Sequence, residues 1–194
     1  KCNYYQLLTE EVDIPEQPQT WNNLSLPTQS DEVKFMVVGD QLVADIGSGL
    51  KFTSEKNVLK QELVKQNPDL IFITGNAKDE LIKHYGQNFW SRVQPELNVP
   101  IVTVYEAQQQ VFAIGESWYI TLDAISHHTN PAQNVFLYDT LLQLEKHPEV
   151  KNVYFISDND QWLQPHPDNY YFWEDFPKQL EKFKNVKFEF RFNN

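Results

Sequence analysis

Asp40, Asn76 and Asp79 stand just beyond short apolar runs that close on glycine, in VKFMVVGD (33–40) and DLIFITGNAKD (69–79). Two further acids follow runs of the same kind, Glu106 after VPIVTVY (99–105) and Asp158 after VKNVYFIS (150–157). Carboxylates and carboxamides at the carboxyl ends of strands are the raw material of metal and acid–base chemistry, because loops converge there and helix N-termini supply donors. If the first two runs are neighbouring strands, Asp40, Asn76 and Asp79 form one polar cluster. A second group of residues is aromatic. The segment DNDQWLQPHPDNYYFW (158–173) carries Trp162, His166, Tyr170, Tyr171 and Trp173 among amides and acids. Flat rings give contact area at little entropic cost, which suits a binding surface for protein or carbohydrate.

The elements that must position these residues alternate from residue 31 onward, the order that builds a layered α/β fold. The run 33–40 is nearly continuous in apolar residues, as a central strand buried on both faces reads. Ser54 opens a helical stretch with Leu59 and Leu63 four apart, and Pro68 forces the chain extended into the strand 69–75. A helix follows with Ile82, Tyr85, Phe89 and Val93 on one stripe, then a strand at 99–105. VFAIGESWYITLDA (111–124) predicts a hairpin turning at Gly115 and Glu116. Leu137, Leu141 and Leu144 mark a helix, 150–157 a strand, Phe176, Leu180 and Phe183 another helix, and NVKFEFRF (185–192) a last strand of clean alternation.

Composition narrows the functions on offer. The 194 residues are 41% hydrophobic and 14% aromatic, enough for one sizeable core, so residues 31–194 are expected to form a single domain. A net charge of −11 and no basic run exclude the clustered cations that nucleic-acid binding needs. No apolar run approaches the length of a membrane span. The lone Cys2 cannot form an internal disulfide. A cysteine near the first residue can mark a lipid-anchored envelope protein, yet Lys1 is not the small residue that such processing prefers, and the compartment stays open. Residues 1–30 hold three prolines and no sustained period, so they read as an arm or linker, with Tyr4, Tyr5 and Trp21 lying across the domain or a partner.

The order of these segments resembles the calcineurin-like metallophosphoesterase family over most of residues 33–192. The resemblance implies a layered α/β/β/α sandwich with mixed sheets, and a two-metal phosphoesterase centre built from Asp-x-His, Gly-Asp-x-x-Asp, Gly-Asn-His and later histidine motifs. Set against those motifs, Asp40 keeps its carboxylate but Leu42 replaces the histidine. Asn76 stands where the bridging aspartate belongs, and Asp79 matches. YEAQQQ (105–110) offers only Glu106, and Asp158 in SDND (157–160) takes the place of a histidine. A bridging carboxamide brings no negative charge to hold two cations a few ångströms apart. The expectation is therefore a non-catalytic relative with no metal and no cofactor, acting through contacts with another protein or with itself; a residual metal-dependent phosphoesterase is an alternative.

GDQLVADIG (39–47) also resembles the opening of SGNH-type esterases, with HPD (166–168) as the late acid–histidine pair. There Gln41 would occupy the place of the nucleophilic serine, and a carboxamide cannot attack a carbonyl. A third resemblance, to a solute-binding lobe, rests on NPDLIFITG followed by VPIVTV, and the mid-chain hairpin speaks against it. Among the histidines, adjacent His127 and His128 point in opposite directions in an extended loop, His84 sits beside Tyr85 on a helix, and His147 precedes Pro148 at a helix end.

Overall fold

The computed structural model describes residues 19–20, 33–39, 54–74, 97, 99–104, 109–122, 131–157 and 170–192. In chain order these form β1 (Gln19–Thr20), β2 (Phe35–Gly39), α1 (Ser54–Gln66), β3 (Leu70–Thr74), β4 (Ile101–Val104), β5 (Gln110–Ile114), β6 (Ser117–Thr121), α2 (Pro131–Leu144), β7 (Asn152–Ser157), α3 (Tyr170–Leu180) and β8 (Lys187–Phe192). The architecture is mixed α/β with two sheets: a three-stranded sheet ordered β2-β3-β4 and a five-stranded sheet ordered β1-β5-β6-β7-β8. The smaller sheet is all parallel. In the larger, β5 and β6 run antiparallel while β6, β7 and β8 run parallel.

Local chemistry sets the boundaries. Helix α1 turns Leu59 and Leu63 inward and stops at Asn67, whose φ of 45° lies in the left-handed region that asparagine tolerates. The Asn67 amide returns 3.0 Å to the Leu63 carbonyl, and Pro68 bars a further turn. The Lys34 ammonium donates to the Gln66 carbonyl, neutralising the negative end of the helix. Asp69 then receives the Lys34 amide at 2.9 Å and returns its own amide to the Lys34 carbonyl at 2.7 Å, locking β2 to β3 at their amino ends. Gly115 opens the two-residue turn between β5 and β6 at φ 56°, the positive angle a II′ hairpin requires at its first central position.

Strand alternation divides the apolar residues among three clusters. On β3, Ile71 and Ile73 pack with Val38, Leu59 and Leu63 on the α1 side. Leu70 and Phe72 turn the other way, with Phe35, Val37 and Val102, and meet Phe112, Ile114, Tyr119, Tyr154 and Ile156 of the larger sheet. The two sheets therefore pack face to face, with Phe35 5.2 Å from Tyr119 and 4.8 Å from Tyr154. On the far face of the larger sheet, Trp118, Ile120, Val153 and Phe155 pack against Phe136, Leu137 and Leu141 of α2 and Phe172 and Phe176 of α3.

Three expectations are corrected. Strand β2 is at the edge of its sheet rather than central, and Phe35, Met36 and Val37 are only half-buried; β3 is the central strand and every one of its residues is buried. The aromatic segment 158–173 is not wholly a loop, because Tyr170 opens α3 and Phe172 is a core residue. That helix ends at Leu180, so Phe183 lies in the following turn. The arm contributes β1, which pairs parallel with β5 in the register Gln19↔Phe112. Among the described residues no helix is long and apolar enough to cross a membrane.

Candidate functional site

All strands except β1 and β5 point the same way. Within each sheet the pairings fix this, and between the sheets Tyr119 fixes it: its hydroxyl shares a hydrogen bond with Ser117, at the start of β6, and lies in the field of Asp69, just before β3. Burial, with Tyr154 adding to it, raises this phenol above its ordinary pKa, so Tyr119 is a neutral group of the amino pole. Helix α2 spans about 21 Å at 1.5 Å per residue, the length of the strands it covers. Its carboxyl end lies at the amino pole, where His147 sits 5.2 Å from Trp118. The N-terminus of α2 therefore lies at the carboxyl pole.

Register aligns the strand ends at that pole. Gly39 pairs with Thr74, and Thr74 with Val104, so β2, β3 and β4 finish level with one another. Level ends on adjacent strands are the condition for the residues next in sequence to meet. Asp40, Leu42, Asn76, Asp79, Glu106, Asp158, Trp162 and His166 themselves lie outside the described residues, as do His84, His127 and His128. Tyr170, Tyr171 and Trp173 are in the first turn of α3, with their side chains outside the described set. His147 is accounted for structurally, with Nδ1 2.7 Å from Glu149 Oε1.

The described residues change character at the same level. Seven buried residues are polar, and five of them, Thr74, Thr121, Gln133, Asn134 and Ser157, are strand-end or first-turn residues of the carboxyl pole. Phe72 and Tyr119 stack at 5.7 Å across the inter-sheet layer, and Thr74 and Thr121 stand two residues beyond them on the same faces. The apolar layer thus ends in a hydroxyl from each sheet beside Gly39, which has no side chain. Thr121 Oγ1 accepts the Gln110 amide at 3.2 Å. Thr74 Oγ1 is fully buried and has no hydrogen-bond partner among the described residues. On the opposite face of the larger sheet, Ser157 Oγ is likewise buried and without a hydrogen-bond partner among the described residues, and Gln109 donates from Nε2 to Gln133 Oε1 at 3.4 Å in the first turn of α2. Thr74 and Ser157 were not singled out by the sequence; the available signal was a hydroxyl as the last residue of an otherwise apolar strand.

A second polar feature lies on the α2–α3 seam. Asp175 Oδ2 accepts from Gln179 Nε2 and from the Tyr138 hydroxyl, each at 2.9 Å, and these bonds, Gln179 foremost, hold its carboxyl below the usual range. It ties the helices together above Phe172 and Phe176, which stack at 4.8 Å.

Among the described residues no group of three or more His, Cys, Asp or Glu side chains could hold a metal ion. Positions 40, 42, 76, 79, 106 and 158 supply four carboxylates, one amide and one apolar chain, and no imidazole. The described strand ends add neutral hydroxyls. Comparison with protein-family models gives no match for the chain, and comparison with characterised proteins gives none either.

Proposed function

We propose that the chain is a non-catalytic binding or scaffolding protein, built on a layered α/β/β/α sandwich of metallophosphoesterase type whose two-metal chemistry has been lost. One observation carries the reading. The register Gly39↔Thr74↔Val104 brings three adjacent strand ends level, and the residues that follow them in sequence keep the order of the family's ligand motifs while losing most of its ligands. The packing order supports it as well: α1 against the three-stranded sheet, that sheet against the larger one, and the larger against α2 and α3. Asn76 in place of a bridging carboxylate removes the charge that offsets two dications, and Leu42 removes an imidazole.

The binding role falls to Trp162, His166, Tyr170, Tyr171 and Trp173, with another protein or a second copy as partner. A net charge of −11 directs the surface toward neutral or basic partners. Two measurements test the proposal. Hydrolysis of p-nitrophenyl phosphate and its bis ester, with Mn²⁺, Zn²⁺ or Fe²⁺ added, is expected to stay at the buffer rate; turnover abolished by chelator refutes the loss of catalysis. Trp162→Ala and Trp173→Ala are expected to weaken association by about 2 kcal/mol or more in sedimentation or pull-down while keeping the melting temperature. Unfolding without a specific loss of association returns these rings to the core.

A further inference from the structure

The larger sheet ends in β8, and among the described residues no strand lies beyond it. Its other edge is the two-residue β1, whereas β8 runs for six residues in unbroken register with β7. An edge strand presents backbone N–H and C=O groups to any strand that comes alongside, and natural edges are blunted by shortness, bulges, proline or charge. Of these β8 has charge alone. Phe188 and Phe190 pack with the cluster beneath α2 and α3, Phe190 lying 4.8 Å from Phe155. By alternation Lys187, Glu189 and Arg191 stand on the opposite face. Lys187 and Arg191 are exposed, and both pair with Glu189 between them.

These charges repel most strands and match one. Two copies related by a two-fold axis bring the same edge together antiparallel, and residues directly opposite then share a face. A register shifted by one residue sets charges against phenylalanines. Of the two registers that keep charge opposite charge and overlap five residues of the strand, the one centred on Glu189 sets Glu189 against Glu189 and Lys187 against Arg191, like against like. Centred on Phe190, the overlap runs over 188–192, and Glu189 of each copy faces Arg191 of the other. Opposite charges directly across a sheet attract and like charges repel. A net charge of −11 on each copy opposes contact elsewhere, while β8 brings two cations for one acid. We propose that the chain dimerises through β8, two copies pairing antiparallel about Phe190 into one continuous sheet, with Glu189 of each opposite Arg191 of the other. This contact is separate from the aromatic surface of 158–173 and stands without the metallophosphoesterase reading.

The test is sedimentation of the full chain from micromolar to millimolar concentration, with hydrogen exchange of the β8 amides read at both ends of the range. A reversible dimer is expected, with residues 188–192 better protected in the concentrated sample. Glu189→Arg and Arg191→Glu each turn two symmetric attractions into repulsions and are expected to weaken the dimer about tenfold or more. The double exchange of Glu189→Arg with Arg191→Glu restores both pairs in reverse order and is expected to recover the dimer, which a merely structural role for either residue does not predict. Lys187→Gln, a position beyond the overlap, is expected to stay within about twofold. A chain that is monomeric throughout overturns the proposal, and β8 amides protected in that monomer assign the edge to another segment of the same chain. A dimer that survives both single exchanges overturns the placement. Loss in both single variants without recovery in the double, or a Lys187→Gln loss as large as theirs, overturns the register.

Discussion

Replacing Thr74 by valine is expected to stabilise the protein, against the usual direction of a core substitution. Thr74 Oγ1 is fully buried with no hydrogen-bond partner among the described residues. In mutational data such a hydroxyl costs on the order of 1–3 kcal/mol in desolvation. Valine replaces it with a methyl of similar size on a strand where β-branching is favoured. Allowing for incomplete relief, the gain is about 1–2 kcal/mol, which at roughly 2–4 °C per kcal/mol for a chain of this length raises the melting temperature by roughly 2–8 °C. Thr121→Val is the matched opposite. Its Oγ1 accepts the Gln110 amide at 3.2 Å, so the same exchange strands a backbone donor and costs about 1–3 kcal/mol. Calorimetry and urea titration measure both, with an unchanged denaturant slope establishing that the native state is what moved. A lower melting temperature for Thr74→Val, or the same sign for both variants, refutes the reasoning.

Gly115→Ala is expected to lose about 1–2 kcal/mol in urea unfolding, because φ is 56°; with nothing within 4 Å of an added Cβ, the cost is conformational rather than steric. Phe176→Ala, 1% exposed in the cluster beneath α2 and α3, is expected to lose about 3–5 kcal/mol, whereas exposed Glu174→Ala stays within about 0.5 kcal/mol by the same assay. Asp175→Asn tests linkage. Its folded carboxyl is depressed by Gln179 and Tyr138, so the stabilisation is present above the unfolded pKa of about 3.9 and is lost as pH falls through the lower folded value. This carboxyl is near solvent, so the variant is expected to lose only a few tenths of a kcal/mol at pH 7. A melting-temperature difference that persists in strong acid counts against the assignment.

What the sequence could convey depended on the kind of constraint. Strand β3 was legible because an apolar run between Pro68 and Gly75 has no amphipathic alternative. The β5–β6 hairpin was legible because Gly115 punctuates two alternating runs. Lateral order was not: VKFMVVG is as apolar as a central strand, yet β2 is an edge, and its burial comes from the sheet stacked on Phe35 and Val37. The start of α3 was hidden because YYFW is aromatic at every position, and only the spacing of Phe172 and Phe176 carried the helical period. Strand β1 has two residues and exists through its pairing alone, which no local pattern encodes. Of the site, strand ends followed by Asp40, Asn76 and Glu106 could be read from glycine and polar residues after apolar runs, and β2, β3 and β4 do finish level. The unpartnered Thr74 could not, since a hydroxyl at a strand end looks the same in sequence whether or not it finds a partner.

The hairpin at Gly115 also bears on how fast the chain assembles. Among the described strands, β5 and β6 are the one antiparallel pair, and their contacts are local in sequence. Such a ribbon closes in about 1–10 μs. Every other pairing is parallel and waits for a crossover to be threaded first, so its loop-closure entropy is lost before any contact returns it. The docking of Gln19–Thr20 on β5 joins, through only two residues, the described strand pair most distant in sequence. Held by two residues, that contact is expected to form after the sheet it borders and to open before it, leaving the outer edge of β5 bare for part of each folding and unfolding excursion. In a crowded solution that edge is open to pairing with a foreign strand, so refolding yield is expected to fall as concentration rises.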